Sequence, residues 1–275
     1  MPELPEVEVS RLGLLPHVPG QRIVQAVFRV PRLRHDLLPE VAWGLAGRRI
    51  EAIRRRGKYL LFDCESAQGG GWLIVHLGMS GSLRLVPPGT PAQKHDHVDL
   101  VFANATLRLR DPRRFGSVLW HAGPAVEEHP LIAVLGLEPL SPQFDGHWLH
   151  ARTRGRTTPI KPVLMDSHLL VGVGNIYAAE SLFCAGISPL RQAGRIGLER
   201  CRKLAVAIRA TLEKSIAAGG SSVRDYVHSD GGAGSFQVTC AVYGRAGLPC
   251  VVCAEPVRAV RQAGRTTFYC PHCQR

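Results

Sequence analysis

The sequence lacks the features that would tie the protein to a membrane or to secretion. No apolar run among the 275 residues is long enough to cross a bilayer. Acidic residues stand at the amino terminus where a secretory signal would have basic ones, and no apolar stretch follows them. No internal repeat, low-complexity tract or dimerisation pattern is visible. These absences predict a globular, monomeric, cytoplasmic protein that has no membrane partner.

Acidic residues are also scarce. The chain has 22 Asp and Glu against 34 Lys and Arg, which gives a net charge of +12 and a sequence pI near 9.8. Basic clusters at residues 54–56, 113–114 and 152–156 lie inside segments that are otherwise typical of folded structure. This balance favours an anionic partner, with nucleic acid ahead of acidic lipid. A solvated basic surface is the simpler interpretation, and charge alone does not exclude it.

The length of the chain and its hydrophobic periodicity predict two domains. Apolar and polar residues alternate in short runs from residue 21 to residue 121, which indicates a mainly antiparallel sheet domain. Helical spacing begins after about residue 130, and the segment Pro139–Gly146 has the composition of a connector. An amphipathic helix is predicted from Leu198, with Gly219 and Gly220 as its end.

The amino-terminal stretch "PELPEVE" has two interpretations. Pro2 and Pro5 suit the first turn of a helix, and glutamates suit its positive end. We expect Val7, Leu12 and Leu15 to line one face of that helix. The other interpretation is that the nitrogen of Pro2 has a chemical role.

Eight cysteines fall into two groups. Four are isolated and are expected to be ordinary buried thiols: Cys64, Cys184, Cys201 and Cys240. The other four form two Cys-x2-Cys pairs separated by sixteen residues: Cys250, Cys253, Cys270 and Cys273. This spacing favours a closed, structural zinc site, whereas disulfides would conflict with a cytoplasmic location.

Three further segments have both a functional and a purely structural interpretation. The sequence between the cysteine pairs predicts a hairpin with Arg265 near its tip, either as an arm against phosphate or as a solvated side chain. Asn175 in "VGVGNIYAAE" lies at a predicted helix start, where amides bind anions. Arg113 and Phe115 in "DPRRFG", and Met79 in "HLGMSG", combine a cation with apolar side chains on turns, which is suited to entering duplex DNA. Solvated arginines and a core phenylalanine are the alternative.

These segments together resemble formamidopyrimidine-DNA glycosylases, a family of bacterial base-excision repair enzymes. The resemblance runs from Pro2 to the last cysteines and includes "RRRGKYLL", "KHDHVDL", "MDSHLLVGVGNIYAAESLF" and "VYGRAGLPC". The sister group of endonuclease VIII type usually begins Pro-Glu-Gly-Pro and lacks the "DPRRFG" turn. Leu4 and the segment 113–115 therefore favour the branch that acts on purine lesions.

The resemblance implies an α+β fold in three segments and one structural zinc ion. Residues 1–135 would form an antiparallel β-sandwich with a leading helix. Residues 136–240 would form a helix-two-turn-helix DNA-binding domain, and residues 241–275 a four-cysteine zinc-finger hairpin.

The resemblance also implies a bifunctional glycosylase and abasic-site lyase. After removal of the initiator methionine, the nitrogen of Pro2 would attack the sugar and form a Schiff base. Glu3 would act as acid and base, Lys58 would help protonate or position the lesion-bearing nucleotide, and Arg265 would assist the second elimination. The substrates would be 8-oxoguanine opposite cytosine and formamidopyrimidines, with strand nicking by β,δ-elimination.

The partner implied is damaged double-stranded DNA, with no small-molecule cofactor, in a bacterial cytoplasm and associated with the nucleoid. Two sets of DNA contacts follow from the family's pattern. The void left by the flipped nucleotide would be filled by Met79, Arg113 and Phe115. The DNA backbone and the lesion would be contacted by His95, Arg156, Lys161, Asn175 and Arg265.

The chain departs from the family in the loop over the flipped base, Ser229–Gln237. Gly234-Ser235-Phe236 stands where Gly-Tyr-Phe is common, and the glycine content predicts a loop that moves when DNA is absent. Two other functions remain open: an endonuclease VIII-type glycosylase for oxidised pyrimidines, and a catalytically silent zinc protein that binds DNA. The presence of Pro2, Glu3 and Lys58 argues against the silent protein.

Overall fold

The structure is a computed structural model that describes residues 2–67, 69–220 and 240–275. The predicted lesion loop at Ser229–Gln237 lies outside the described residues. The chain divides into two compact units. The first comprises Met1–Ala133 and Ala218–Gln237, and the second comprises Val134–Ala217 and Val238–Arg275.

The predicted leading helix is confirmed as α1, Leu4–Leu14. Proline in its first turn is pre-set for helical φ, and the Glu3 backbone N–H donates to a Glu6 carboxylate oxygen at 2.8 Å. The carboxylate therefore satisfies a backbone donor that the start of a helix would otherwise leave unpaired.

The buried face of α1 differs from the predicted one. Leu4, Val7 and Leu14 are buried, whereas Leu12 and Leu15 are exposed. At 3.6 residues per turn, Leu12 lies about 140° around the helix from Val7, so the two side chains do not share a face. The prediction was wrong for Leu12 for this reason, and it was wrong for Leu15 because that residue lies just beyond the end of α1.

The antiparallel sheet domain is confirmed. Its strands are β1 Gln25–Phe28, β2 Arg49–Arg56, β3 Tyr59–Glu65, β4 Gly71–His76, β5 Ser82–Val86, β6 Asp96–Val101, β7 Thr106–Arg110 and β8 Ser117–Ala122. They form two four-stranded sheets in the orders β2-β3-β4-β8 and β1-β6-β7-β5. Side chains from both sheets and from α1 form one buried cluster, so the unit is a β-sandwich with a leading helix. Two short helices, α2 (Pro39–Leu45) and α3 (Pro130–Ala133), complete it.

The second unit is mainly helical. Its helices are α4 Gly146–Thr153, α5 Ile160–Leu164, α6 Asn175–Cys184 and α7 Leu198–Ala217. The predicted long helix is confirmed, with the expected apolar stripe buried, and it is followed by left-handed Gly219 and Gly220 at φ +82° and +84°. Glycine adopts this conformation without a Cβ penalty, which explains where α7 ends.

The carboxyl-terminal hairpin is formed by β9 (Arg258–Gln262) and β10 (Arg265–Tyr269). Ala263 and Gly264 connect the strands with φ of +46° and +75°, values typical of a tight two-residue hairpin turn. The hairpin packs on α6 through a small core that includes Ala179 and Phe183. It is therefore a structural extension of the helical unit.

None of the helices in residues 2–67, 69–220 and 240–275 combines the length and the apolar character that a membrane span needs.

Candidate functional site

Pro2 and Glu3 lie at the start of α1. Both residues are buried, Glu3 with only 1% of its surface exposed, and Glu3 precedes the first helical residue in extended conformation. The positive end of the helix favours negative charge at this point. The buried Glu3 therefore follows Pro2 directly in the sequence, at the positive end of α1.

Lys58 lies in the tight turn between β2 and β3, after left-handed Gly57 at φ +57°. Burial, followed by the charges of Lys58 and Arg34, lowers the pKa of His76 to about 4. The Gly78 backbone N–H donates to His76 Nδ1 at 3.0 Å, so the neutral ring carries its proton on Nε2. Sequence analysis did not identify His76 or Arg34, because neither stands in a pattern that by itself predicts chemistry.

Asp111 joins two turns of the first unit. It is fully buried, and its carboxylate accepts hydrogen bonds from Ser80 Oγ at 2.8 Å and from the Gly116 N–H at 2.7 Å. The Arg113 N–H lies 3.3 Å from the same carboxylate. One side chain therefore fixes both the turn after β4, which carries Met79, and the turn after β7, which carries Phe115.

The two turns touch at Gly78. A Cβ on this residue, whose φ is +64°, would lie 2.3 Å from the Phe115 carbonyl carbon, so only glycine fits. Met79 and Phe115 are 39% and 44% exposed, and the Arg113 guanidinium lies 5.1 Å from the centre of the Phe115 ring. The two turns that carry Met79, Arg113 and Phe115 therefore lie side by side, and the apolar side chains of Met79 and Phe115 are exposed to solvent. Phe115 is not a core residue.

His95 and Arg156 occupy constrained loops, one in each unit. His95 has a φ of +77°, and its carbonyl accepts the Asp111 N–H at 2.9 Å. Arg156 is exposed, and its carbonyl accepts the Gly194 N–H at 2.9 Å, which fixes the backbone between α4 and α5. Both side chains therefore extend from a defined backbone.

Asn175 and Lys161 meet inside the second unit. Lys161 Nζ donates to Asn175 Oδ1 at 2.5 Å and to Thr267 Oγ1 at 2.7 Å, and Asn175 Nδ2 donates to the Thr266 carbonyl at 3.0 Å. Lys161 is only 1% exposed. The predicted contact between Lys161 and DNA stays a prediction, and in this structure the Lys161 amine is bonded inside the protein. Arg265, at the start of β10, is exposed as expected.

The four paired cysteines form a candidate metal centre. Their sulfur atoms all lie within 4.8 Å of one another, with Cys250 and Cys273 at 3.9 Å and Cys253 and Cys270 at 3.5 Å. A tetrahedral zinc ion with Zn–S bonds of about 2.3 Å has sulfur–sulfur edges of about 3.8 Å. The arrangement fits one zinc ion, which would neutralise thiolate charge and clamp the hairpin.

The surroundings of the cysteine sulfurs support the fit. Burial and the neighbouring thiols raise the pKa of Cys273, so several thiolates do not coexist readily without a cation. The Cys273 N–H and the Val252 N–H point at the sulfurs of Cys270 and Cys250, at 3.4 and 3.5 Å, and would stabilise the ligated thiolates. Among the isolated cysteines, Cys64 and Cys201 are buried as predicted. Cys184, in the last turn of α6, is exposed, contrary to expectation.

Two further polar side chains that the sequence analysis missed support this region. Glu180 is buried in α6 and accepts the backbone N–H groups of Ala241, Val242 and Tyr243 at 2.7 to 3.0 Å. Gln274 is also buried and joins Cys270 to the carbonyl of Ile187. A carboxylate within the apolar run "YAAESLF" is the one sequence signal that could have indicated Glu180.

Three family models match nearly the whole chain. They are the formamidopyrimidine-DNA glycosylase N-terminal domain at residues 1–118, the H2TH domain of the same enzymes at 135–227, and a zinc finger found in FPG and IleRS at 247–275. The chain belongs to the formamidopyrimidine-DNA glycosylase family. The zinc finger model and the sulfur geometry together assign one structural zinc ion to the four cysteines.

Relatives of the chain cover its full length. A formamidopyrimidine-DNA glycosylase of Dechloromonas aromatica is 59% identical over 100% of both chains. MutM (Fpg) of Thermus thermophilus is 43% identical, with a TM-score of 0.87 over 99% of this chain and 98% of its own. Lactococcus lactis Fpg is 34% identical with a TM-score of 0.90 over 99% or more of each chain, both as a point mutant with Fapy-dG-containing DNA and in a complex with abasic-site DNA.

Loss of one zinc ligand should release the metal. We expect Cys270→Ser to reduce bound zinc from close to one ion per chain to almost none, because its sulfur is fully buried in the cluster. The matched control is Cys184→Ser, which removes an exposed thiol outside the cluster and should retain the metal. Elemental analysis of the purified proteins decides the point. A metal-free native protein, or full zinc in Cys270→Ser, would contradict the assignment.

His76 should remain neutral at physiological pH. Its pKa in the folded protein is about 4, against an ordinary value of 6.5, so only the unfolded chain takes up this proton between those values. The contribution of His76 to stability is therefore complete above pH 6.5 and is lost as the pH falls towards 4. NMR of the imidazole should show a proton on Nε2 and a titration midpoint near 4. A midpoint near 6.5 would contradict the burial and charge environment.

Removal of the Asp111 carboxylate should destabilise the first unit. We expect Asp111→Ala to lower the free energy of unfolding by on the order of 3 kcal/mol, since buried donors lose their acceptor. The control Asp36→Ala removes an exposed carboxylate that lies 3.5 Å from Arg32, and should cost less than about 1 kcal/mol. Urea denaturation measures both changes. Equal effects for the two variants would show that Asp111 does not join the turns.

Proposed function

We propose that the protein is a bifunctional DNA glycosylase and abasic-site lyase that excises oxidised purines, namely 8-oxoguanine opposite cytosine and formamidopyrimidines. The observation that carries the proposal is the pair of Pro2 and Glu3 at the start of α1, in a chain that matches the glycosylase family over its full length. The bound DNA of the Lactococcus lactis relatives, which contains Fapy-dG or an abasic site, supports the substrate class.

The chemistry begins at Pro2 once the initiator methionine has been removed. A terminal amine has a pKa of about 8, so a useful fraction is unprotonated at neutral pH. Its nitrogen forms a bond to sugar C1′ as the glycosidic bond breaks and the base leaves with a proton. Glu3 protonates the ring oxygen, the sugar opens, and an iminium ion results.

Strand cleavage follows from the iminium ion, which withdraws electrons from the sugar. Loss of a proton from C2′ expels the 3′ phosphate, and a second proton loss expels the 5′ phosphate. Lys58, on its tight turn, is proposed to help with protonation or with positioning of the nucleotide. Arg265 holds a phosphate and assists the second elimination. The zinc ion supplies structure for the hairpin that carries Arg265.

DNA binding relies on charge and on the exposed turns. The net charge of +12 favours a polyanion, and affinity should fall as salt rises. His95, Arg156, Asn175 and Arg265 are proposed to contact the backbone. Met79, Arg113 and Phe115 are proposed to fill the void left by a flipped nucleotide, with Arg113 opposite the estranged cytosine.

The domain arrangement and setting are also proposals. We infer three segments, a β-sandwich at residues 1–135, a helix-two-turn-helix domain at 136–240 and a zinc hairpin at 241–275. The family-model matches at 1–118, 135–227 and 247–275 support this division. We further infer a monomer in a bacterial cytoplasm, associated with the nucleoid. The similarity to a formamidopyrimidine-DNA glycosylase of the bacterium Dechloromonas aromatica supports the bacterial setting.

Borohydride trapping tests the proposal. Protein whose methionine is shown to be removed is incubated with an 8-oxoguanine duplex, reduced and digested, and the adduct is located by peptide mass analysis. We expect an adduct at Pro2, because reduction converts the iminium into a stable amine. The control duplex has guanine in place of the lesion and should give no adduct.

Three outcomes would change the assignment. An adduct at a lysine would overturn Pro2 as the nucleophile. Faster reaction with thymine glycol than with 8-oxoguanine would favour the endonuclease VIII type. DNA binding without any adduct would identify a silent DNA-binding protein.

A further inference from the structure

Lys161 is almost completely buried, and so is Thr267, one of its hydrogen-bond partners. Lys161 and Thr267 are 1% and 0% exposed, and Nζ donates to the Thr267 hydroxyl at 2.7 Å. Nζ also donates to the side-chain oxygen of Asn175 at 2.5 Å. Burying an ammonium group is costly in free energy unless it donates to acceptors. Because Asn175 and Thr267 accept from the same ammonium group, the position of each depends on the other.

The same contacts fix the orientation of the Asn175 amide. Its oxygen faces the Lys161 ammonium, and its nitrogen donates to the carbonyl of Thr266 at 3.0 Å. A flipped amide would place NH2 against a cation and a carbonyl oxygen against a carbonyl oxygen, and both contacts would be repulsive. The amide therefore has a single favourable orientation as long as Lys161 stays where it is.

Thr267 also lies on the same strand as Arg265. The two residues are separated by one position on β10, so their side chains share a face of the strand. Thr267 lies at the buried end of that face, and Arg265 lies at the exposed tip of the hairpin. Both residues line a cavity of about 200 Å³, as does Lys161. A shift of β10 relative to α5 would therefore move Arg265 and the Asn175 amide together.

We propose that Thr267 is a positioning residue, whose hydroxyl acts through Lys161 to hold Asn175 and Arg265 in register for phosphate binding. The inference rests on the proposed DNA-repair function, because it assigns Asn175 and Arg265 to the DNA backbone. Lys161 then acts inside the protein and makes no contact with DNA. The alternative role for Thr267 is packing alone, since β-branched residues are common in strands.

Three substitutions separate the hydroxyl from the shape of the side chain. Thr267→Val keeps the shape but removes the acceptor of the Lys161 proton. Thr267→Ser restores a hydroxyl on a smaller side chain. Thr266→Val, at the exposed neighbouring position, is the matched control, because the contact of Thr266 with Asn175 uses only its backbone carbonyl.

The readouts are the affinity for a duplex with a stable abasic-site analogue, zinc content and the NMR signal of the Asn175 amide. We expect Thr267→Val to weaken binding about tenfold, in line with the loss of one acceptor for a charged donor, and to shift the Asn175 signal. Thr267→Ser should recover affinity to within about twofold, and Thr266→Val should leave affinity unchanged. Zinc content should remain that of the native protein in all three variants.

Several results would overturn the proposal. Native affinity in Thr267→Val would show that the hydroxyl does no positioning, and an equal loss in Thr267→Ser would assign the effect to packing. Loss of zinc in Thr267→Val would assign the residue to folding of the hairpin. The analogue duplex undergoes no chemistry, so these outcomes are distinct from failure of the proposed function. That failure would appear as native protein that binds the duplex but traps no lesion DNA.

Discussion

In each unit, one buried side chain of a charged type fixes the backbone of a segment at the surface. The exposed side chains of that segment are cationic or apolar. In the first unit Asp111 accepts hydrogen bonds from two turns, so the apolar tips of Met79 and Phe115 extend from a fixed backbone. In the second unit Lys161 joins Asn175 to the strand that carries Arg265. Polar groups without partners are costly in a protein interior, so each network is stable in few arrangements. The rigidity that a binding surface needs comes from these internal bonds.

The carboxyl-terminal hairpin has little hydrophobic core of its own, and there the metal centre restricts the backbone in the way that the buried charged side chains do elsewhere. The hairpin buries few apolar side chains, and the four sulfurs lie at the spacing that a single zinc ion requires. Bound zinc would replace the missing hydrophobic stabilisation and would fix the strand on which Arg265 and Thr267 lie. The metal centre and the bond from Lys161 on α5 to Thr267 would thus both fix the strand that carries Arg265.

Much of this architecture follows from local sequence patterns. Period-two alternation predicted the sheets, glycine pairs predicted the end of α7, and cysteine spacing predicted the metal site, because each pattern reflects short-range geometry. The roles of Asp111, Lys161, His76 and Glu180 did not follow. Several of their partners are distant in sequence: Glu180 binds the backbone of residues 241–243, and Lys161 reaches Thr267 across 106 positions. The resemblance to a family placed Lys161 near the lesion, but only the fold shows that its ammonium group points into the protein.

The most direct test of this account is a crystal structure of the borohydride-reduced complex with lesion DNA. The account predicts continuous density from the nitrogen of Pro2 to sugar C1′, with Asn175 and Arg265 on phosphates. Lys161 should remain buried against Thr267. Density that joins the sugar to a lysine, or Lys161 turned outward onto the DNA, would contradict it.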